Sequence, residues 1–315
     1  MTQGQFAYRD RKSGEIMVDT IYARGFLDWL YNTTPGWLLT QFVMSRRWVS
    51  RSYGWWYRQR WTRRKIPAFV EQLGVDLDES MLRLEEFESF NHFITREIDL
   101  SRRPIDPDTD VCVCPADARV LVYPRLAAQT TLMVKRAAFD LPSLLCDEVL
   151  AERYVGGAAV IARLYLADYH HFHFSDDGIP EAPRNIRGRC FATSPYSRTR
   201  SVPFLSENSR AVTVFDSDHF GRIAIVEVGA FTIGSIRQCY QPLRRVRRGT
   251  RKGYFELGGS VVLLLFAPGA IRFDADLIGN SASGIETYVP MGASLGRTAN
   301  PVLLQRQSPE TEASR

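Results

Sequence analysis

The spacing of apolar positions changes character about a third of the way along the chain. Phe26, Leu27, Trp29 and Leu30, then Leu38, Leu39, Phe42 and Val43, recur at helical spacing, with Pro35 and Gly36 between the two groups. This predicts short helices arranged as hairpins. From Cys112 onward the texture turns to short β-rich runs at residues 111–113, 120–123, 160–165, 211–215, 223–228 and 261–266, separated by Gly, Pro and Asp turns. The pattern predicts an α+β protein, with a helical region over residues 1–88 ahead of a β-rich core over 89–302. Residues 303–315 have little to bury and are expected to form a flexible tail.

Composition narrows the class. With 45% hydrophobic and 24% charged residues among 315, the chain has enough apolar surface to fold, which excludes large-scale disorder. Its longest apolar stretches, such as 261–268, are far too short to span a bilayer, and the opening MTQGQFAYRDRKSGE lacks the apolar region of a cleaved secretory signal. Five scattered cysteines without a CxxC pair fit a reducing compartment.

The net charge of +5 is unevenly placed. Arg46, Arg47, Arg51, Arg58, Arg60, Arg63, Arg64 and Lys65 form a run without an acid, and setting those eight aside leaves 32 basic against 35 acidic residues. All six tryptophans, Trp29, Trp37, Trp48, Trp55, Trp56 and Trp61, fall in or beside this stretch. Amphipathic indoles next to arginines describe helices lying among lipid headgroups. A helical subdomain with a solvated basic face is the plainer alternative, and single-stranded nucleic acid is a third. The basic segment 243–252, LRRVRRGTRK, reads as a connector between core strands or as a phosphate-facing loop.

Three of the five histidines lie in DYHHFH, 168–173, directly after an apolar run, which suggests a strand end. In extended backbone Tyr169, His171 and His173 would share one side, with Asp168, His170 and Phe172 on the other. Such a cluster suits either a metal or ordinary packing; without a second ligand-rich segment, no metal is expected. GYFELGGSVVLLLF, 253–266, is a Gly-Gly-Ser turn opening onto an apolar strand, and Cys114-Pro115-Ala116-Asp117 sets a carboxylate in another turn.

In order and spelling these strings resemble the phosphatidylserine decarboxylase family over nearly the whole chain. FNHFITREI (90–98) followed by RRPID, CPADARV, YLADYHHFHFSDDG, FGRIAIVEVGAFTIGSI, GYFELGGSVVLLLF and DLIGNSASGIETYVPMGASLG each resemble a family segment. The N-terminus, DRKSGE through RSYGWWYRQR, is similar to the helical entry region of one bacterial branch. The departures are Ala118, where the family spelling has glycine, and Val261, where it has threonine.

The resemblance implies that Asp117, His173 and Ser260 form a self-cleavage triad, with His173 as base toward Ser260 and Asp117 supporting the imidazolium. Attack of Ser260 on the Gly259 carbonyl would cut the chain between 259 and 260, giving a larger chain 1–259 and a smaller chain 260–315 that stay associated. Ser260 would become a pyruvoyl group, the cofactor, which forms a Schiff base with phosphatidylserine and drives its decarboxylation to phosphatidylethanolamine. His170 would donate the returning proton, with Asp168 and Tyr169 shaping the site.

A lipid substrate makes the 26–65 segment a membrane-docking region ahead of a catalytic core. The implied partners are phosphatidylserine and an anionic membrane surface rather than nucleic acid, with a homodimer left open. The implied location is peripheral, on the cytoplasmic face of a bacterial inner membrane. The alternatives are an unprocessed, inactive membrane-binding relative, a serine hydrolase using the same three residues, and a decarboxylase of a related serine-containing lipid or conjugate.

Overall fold

The computed structural model describes residues 6–126, 132–134, 137–191, 204–229, 236–256 and 260–299. The chain opens on a hairpin rather than a helix, β1 (Phe6–Asp10) and β2 (Ile16–Asp19). Asp10 builds the turn by accepting from the Lys12 and Ser13 backbone N–H groups, and Gly14 completes it at φ +74°. Three helices follow: α1 (Arg24–Asn32), α2 (Thr34–Leu39) and α3 (Arg47–Tyr57). Pro35 lies in the first turn of α2, where its missing N–H costs nothing, and Thr33 caps that turn by accepting from Gly36 N. At Gly36 a Cβ would stand 2.2 Å from the Trp29 carbonyl oxygen, so the absent side chain lets α2 fold back against α1.

Helices α4 (Ile66–Leu73) and α5 (Phe90–Ile94) belong to the core. Phe69 stands edge-on to Phe90 at 5.0 Å, Phe87 edge-on to Phe93 at 5.2 Å, and both pairs share an apolar cluster with Val120, Val160 and Val262 from the strands. The segment read from sequence as purely helical is therefore anchored at both ends, by the hairpin and by α4, with the arginine- and tryptophan-rich helices between.

The strands that follow are β3 (Val111–Val113), β4 (Ala118–Tyr123), β5 (Leu132–Val134), β6 (Ala137–Phe139), β7 (Ala158–Leu164) and β8 (His171–His173). Next come β9 (Gly178–Pro180), β10 (Arg184–Ile186), β11 (Arg210–Ser217), β12 (Gly221–Val228), β13 (Ile236–Gln238) and β14 (Arg251–Phe255). The last four are β15 (Ser260–Phe266), β16 (Ile271–Phe273), β17 (Glu286–Val289) and β18 (Ser294–Thr298). The main sheet has ten strands in the order β10-β11-β12-β15-β7-β4-β17-β1-β2, with β9 also on β11. Smaller sheets are β13-β14-β8, β16-β18-β3 and β5-β6. Each of the six β-rich runs coincides with a strand.

Strands β7 and β15 are buried on both faces, which is why their sequences are continuously apolar. Ala118, Val120, Ala162, Leu164, Val262 and Leu264 enter one cluster, whereas Leu121, Ile161, Val261 and Leu263 enter another across the sheet. The β13-β14-β8 sheet covers the first face, where Phe172 meets Phe255 at 4.8 Å. Among the described residues no helix is long and apolar enough to cross a membrane.

Candidate active site

The β-sheet register brings the serine and the aspartate turn to the same end of the main sheet. Ser260, first in β15, lies opposite Leu164, last in β7. The Arg119–Arg163 pair of β7 and β4 puts Ala118 at the same level one strand further on, so Ser260 and the Asp117 turn are two strands, about 10 Å, apart. Ser260 faces the side covered by β8. Its Oγ is buried and makes no hydrogen bond among the described residues. Gly258 and Gly259 lie outside the described residues.

The histidine strand is stitched to the aspartate turn through the backbone, the His173 N–H donating to the Pro115 carbonyl at 2.7 Å. The histidines do not simply end the preceding strand: a turn carrying an Asp168 N–H bond to the Tyr165 carbonyl intervenes, and His171–His173 forms its own strand, β8. Tyr169 stacks on His171 at 4.6 Å and lies 5.8 Å from the His173 ring, so the three share a side, as alternation predicts.

His173 is nearly buried, and its Nδ1 is 2.8 Å from the Gly249 carbonyl oxygen. Because a carbonyl can only accept, Nδ1 carries the proton and Nε2 keeps its lone pair. Nε2 has no hydrogen-bond partner among the described residues, and burial holds the ring's pKa below the ordinary histidine value. The imidazole is thus a neutral, oriented base with its basic nitrogen open.

Asp117 does not hydrogen-bond His173. Its Oδ1 accepts from Met291 N at 2.8 Å and Arg103 Nε at 2.9 Å, and its Oδ2 from Arg103 Nη2 at 2.9 Å. Arg103 in turn grips Glu79 at 2.7 and 3.0 Å. The carboxylate still acts on His173 through its charge, favouring the protonated ring.

Three further groups of buried residues lie around this end of the main sheet. His170 is fully buried, neither ring nitrogen meets hydrogen-bond geometry with a described residue, and burial, aided by the charges of Arg96 and His171, outweighs the nearby Leu166 backbone and pushes its pKa down to about 3. His171 Nε2 bonds the Thr95 carbonyl at 3.0 Å, and burial brings its pKa down to about 4. Arg119 and Arg163, paired across β4 and β7, are both held by Asp19 at 2.9 Å; Glu286 adds a bond to Arg163 at 2.6 Å, and Asp168 one to Arg119. Burial raises Asp168 to about 6 against the opposing charge of Arg119.

The two departures from the family spelling cause no local conflict. Ala118 begins β4 fully buried and is not among the described non-glycine residues with positive φ. Val261 points to the face opposite Ser260, packed in the second cluster beside Arg163 in register.

A buried serine with an unbonded hydroxyl, a neutral histidine with an open nitrogen and a buried carboxylate in the adjoining turn make up the equipment of nucleophilic serine chemistry. Comparison with known proteins supplies the family. The phosphatidylserine decarboxylase family model matches residues 90–297. The phosphatidylserine decarboxylase proenzyme of Chlamydia felis is 40% identical over 291 residues, covering 92% of this chain and 97% of the relative. That of Chlamydia trachomatis serovar L2 is 40% identical over 297 residues, covering 94% and 99%. The chain belongs to the phosphatidylserine decarboxylase family.

Proposed function

We propose that this chain is a phosphatidylserine decarboxylase that cuts itself between Gly259 and Ser260 and converts Ser260 into a pyruvoyl group. The observation that carries this reading is the pair of open atoms, Ser260 Oγ and His173 Nε2, both buried and unbonded in a chain of this family. A buried hydroxyl without a partner costs free energy, and a site that keeps one has a use for it.

In maturation His173 Nε2 takes the Ser260 proton as Oγ attacks the Gly259 carbonyl carbon, and the Gly259–Ser260 amide becomes an ester. Asp117 supports the resulting imidazolium through space, while the Gly249 carbonyl holds the ring's orientation. Loss of the serine α-proton breaks the ester, freeing the Gly259 carboxylate and leaving dehydroalanine at 260. Hydration of that residue releases ammonia and leaves the pyruvoyl carbonyl.

Position 260 suits the group: it opens β15, and the apolar side chains behind it keep water out of the sheet. A pyruvoyl group there supplies an electron sink, binding the substrate amine and accepting the electrons left by carbon dioxide. His170 is the proposed proton donor to the product carbon, with Asp168 and Tyr169 shaping its surroundings.

The cut chains, 1–259 and 260–315, stay together because β15 is an interior strand, hydrogen-bonded to β12 on one side and β7 on the other. Membrane docking is assigned to the helices of residues 24–65, where Phe42, Trp48, Trp55 and Trp61 expose half or more of their surface among the arginines. On this reading the enzyme works at an anionic membrane surface, and the cytoplasmic face of a bacterial inner membrane is the proposed location.

The test is conversion of phosphatidylserine to phosphatidylethanolamine in mixed micelles, before and after borohydride. Activity abolished by borohydride in the presence of substrate supports a carbonyl cofactor. Turnover unaffected by carbonyl reagents contradicts it.

A further inference from the structure

Among the described residues, seven buried side-chain nitrogen and oxygen atoms that make no hydrogen bond belong to Arg96, His170, His171, His173 and Ser260. Arg96 stands apart because it carries a charge. It is 5% exposed, just beyond α5, and its Nη2 donates to the Ala167 carbonyl at 2.7 Å. Among the described residues Nε and Nη1 make no hydrogen bond, and the Phe93 ring stands 5.1 Å from Cζ.

The acids close enough to act on Arg96 are Asp168, Asp117 and Glu79, and each is committed elsewhere. Asp168 bonds Arg119 and the Tyr165 N–H, while Asp117 and Glu79 both bond Arg103. Arg96 is therefore a buried cation without a hydrogen-bonded counterion, an expensive arrangement unless an anion arrives. Its position fits that role. Ala167, its anchor, lies three residues before His170, and its neighbour Thr95 anchors the His171 ring.

We propose that Arg96 binds the phosphodiester of the phosphatidylserine headgroup through its unbonded guanidinium N–H groups. The proposal rests on the decarboxylase reading above. The headgroup offers two anions, and the chemistry chooses between them. An ion pair to the carboxylate would stabilise the ground state and vanish as carbon dioxide leaves, raising the barrier. The phosphodiester keeps its charge throughout, and an unbonded guanidinium N–H can donate to its anionic oxygens. Binding there also offsets the positive charge that bears on His170.

The test compares wild type, R96Q and R96K for self-cleavage, steady-state kinetics on phosphatidylserine micelles, and competition by soluble glycerophosphoethanolamine and by ethanolamine. The expected result is that both variants cut themselves, KM rises about 10- to 100-fold in R96Q and less in R96K, and kcat changes less than KM. Glycerophosphoethanolamine should compete in wild type and lose that effect in R96Q, whereas ethanolamine should not distinguish them. A cut, active R96Q with wild-type KM and inhibition overturns the Arg96 assignment alone. Two uncut variants assign Arg96 to folding or maturation and also overturn it. An uncut, inactive wild type that still binds glycerophosphoethanolamine through Arg96 overturns the decarboxylase reading alone.

Discussion

His173 turns Nδ1 to the carbonyl oxygen of Gly249 at 2.8 Å and leaves Nε2 unbonded. The imidazole is oriented by a backbone carbonyl, with the carboxylate of Asp117 acting from further away. Gly249 sits at φ +77°, and a Cβ there would lie 2.8 Å from Ile105 Cδ1, so the carbonyl's position depends on the residue having no side chain. His173→Gln should slow self-cleavage about 100- to 10,000-fold, the range lost with a general base. Gly249→Ala should slow it less, by moving the carbonyl. Both are read as the fraction of cut chain against time.

Stability should fall in mild acid. Burial holds His170 near 3 and His171 near 4, and lowers His173, so the unfolded chain, with histidines near 6.5, binds more protons than the folded one. Their contribution is fully present above about pH 6.5 and is lost as pH falls toward the folded values. Asp168, raised to about 6, and Glu227, also raised by burial, work the other way, two carboxylates against three histidines. The urea midpoint should drop steadily from pH 7 to pH 4.5. A midpoint that rises over this interval contradicts the buried, neutral histidines.

Lys252 and Glu227 form a fully buried ion pair at 2.7 Å between the two sheets, with Thr213 and Gln238 also accepting from the ammonium. Lys252→Met alone strands a buried carboxylate and should cost about 3–5 kcal/mol. The double variant K252M/E227L replaces both charges with apolar groups and should recover most of that loss. Denaturant unfolding of the single and double variants measures the difference.

Phe42, Trp48, Trp55 and Trp61 are exposed, so replacing them with alanine should leave the melting temperature nearly unchanged. Co-sedimentation with vesicles containing phosphatidylserine should weaken by at least about 10-fold, since each aromatic removed loses a large buried area at the lipid surface. Unchanged sedimentation would move membrane docking elsewhere on the surface.

The strands of the core were legible because β7 and β15 are buried on both faces and leave unbroken apolar runs. The β1–β2 hairpin carries its own turn signal in Asp10, Ser13 and Gly14. Its strands carry no burial alternation, because Ile16, Met17 and Val18 are exposed at a sheet edge and β1 pairs in parallel with the distant β17. Ser260, His173 and Asp117 stand out in the sequence as candidates, but their surroundings do not. Gly249 contributes a carbonyl, which no sequence pattern marks. Arg103 lies in the RRPID string, but its grip on Asp117 and Glu79 is a tertiary fact. Arg96 sits in FNHFITREI, where spelling alone cannot tell a buried guanidinium from a surface one.

The central claim is that the chain makes its own cofactor from Ser260, and intact-mass spectrometry of the purified protein beside Ser260→Ala tests it most directly. Wild type should give two chains, split after residue 259, the smaller lacking a free N-terminal amine and gaining mass with borohydride, while Ser260→Ala stays whole. A single uncut chain in both samples, in a protein that is folded and stable, would contradict the account.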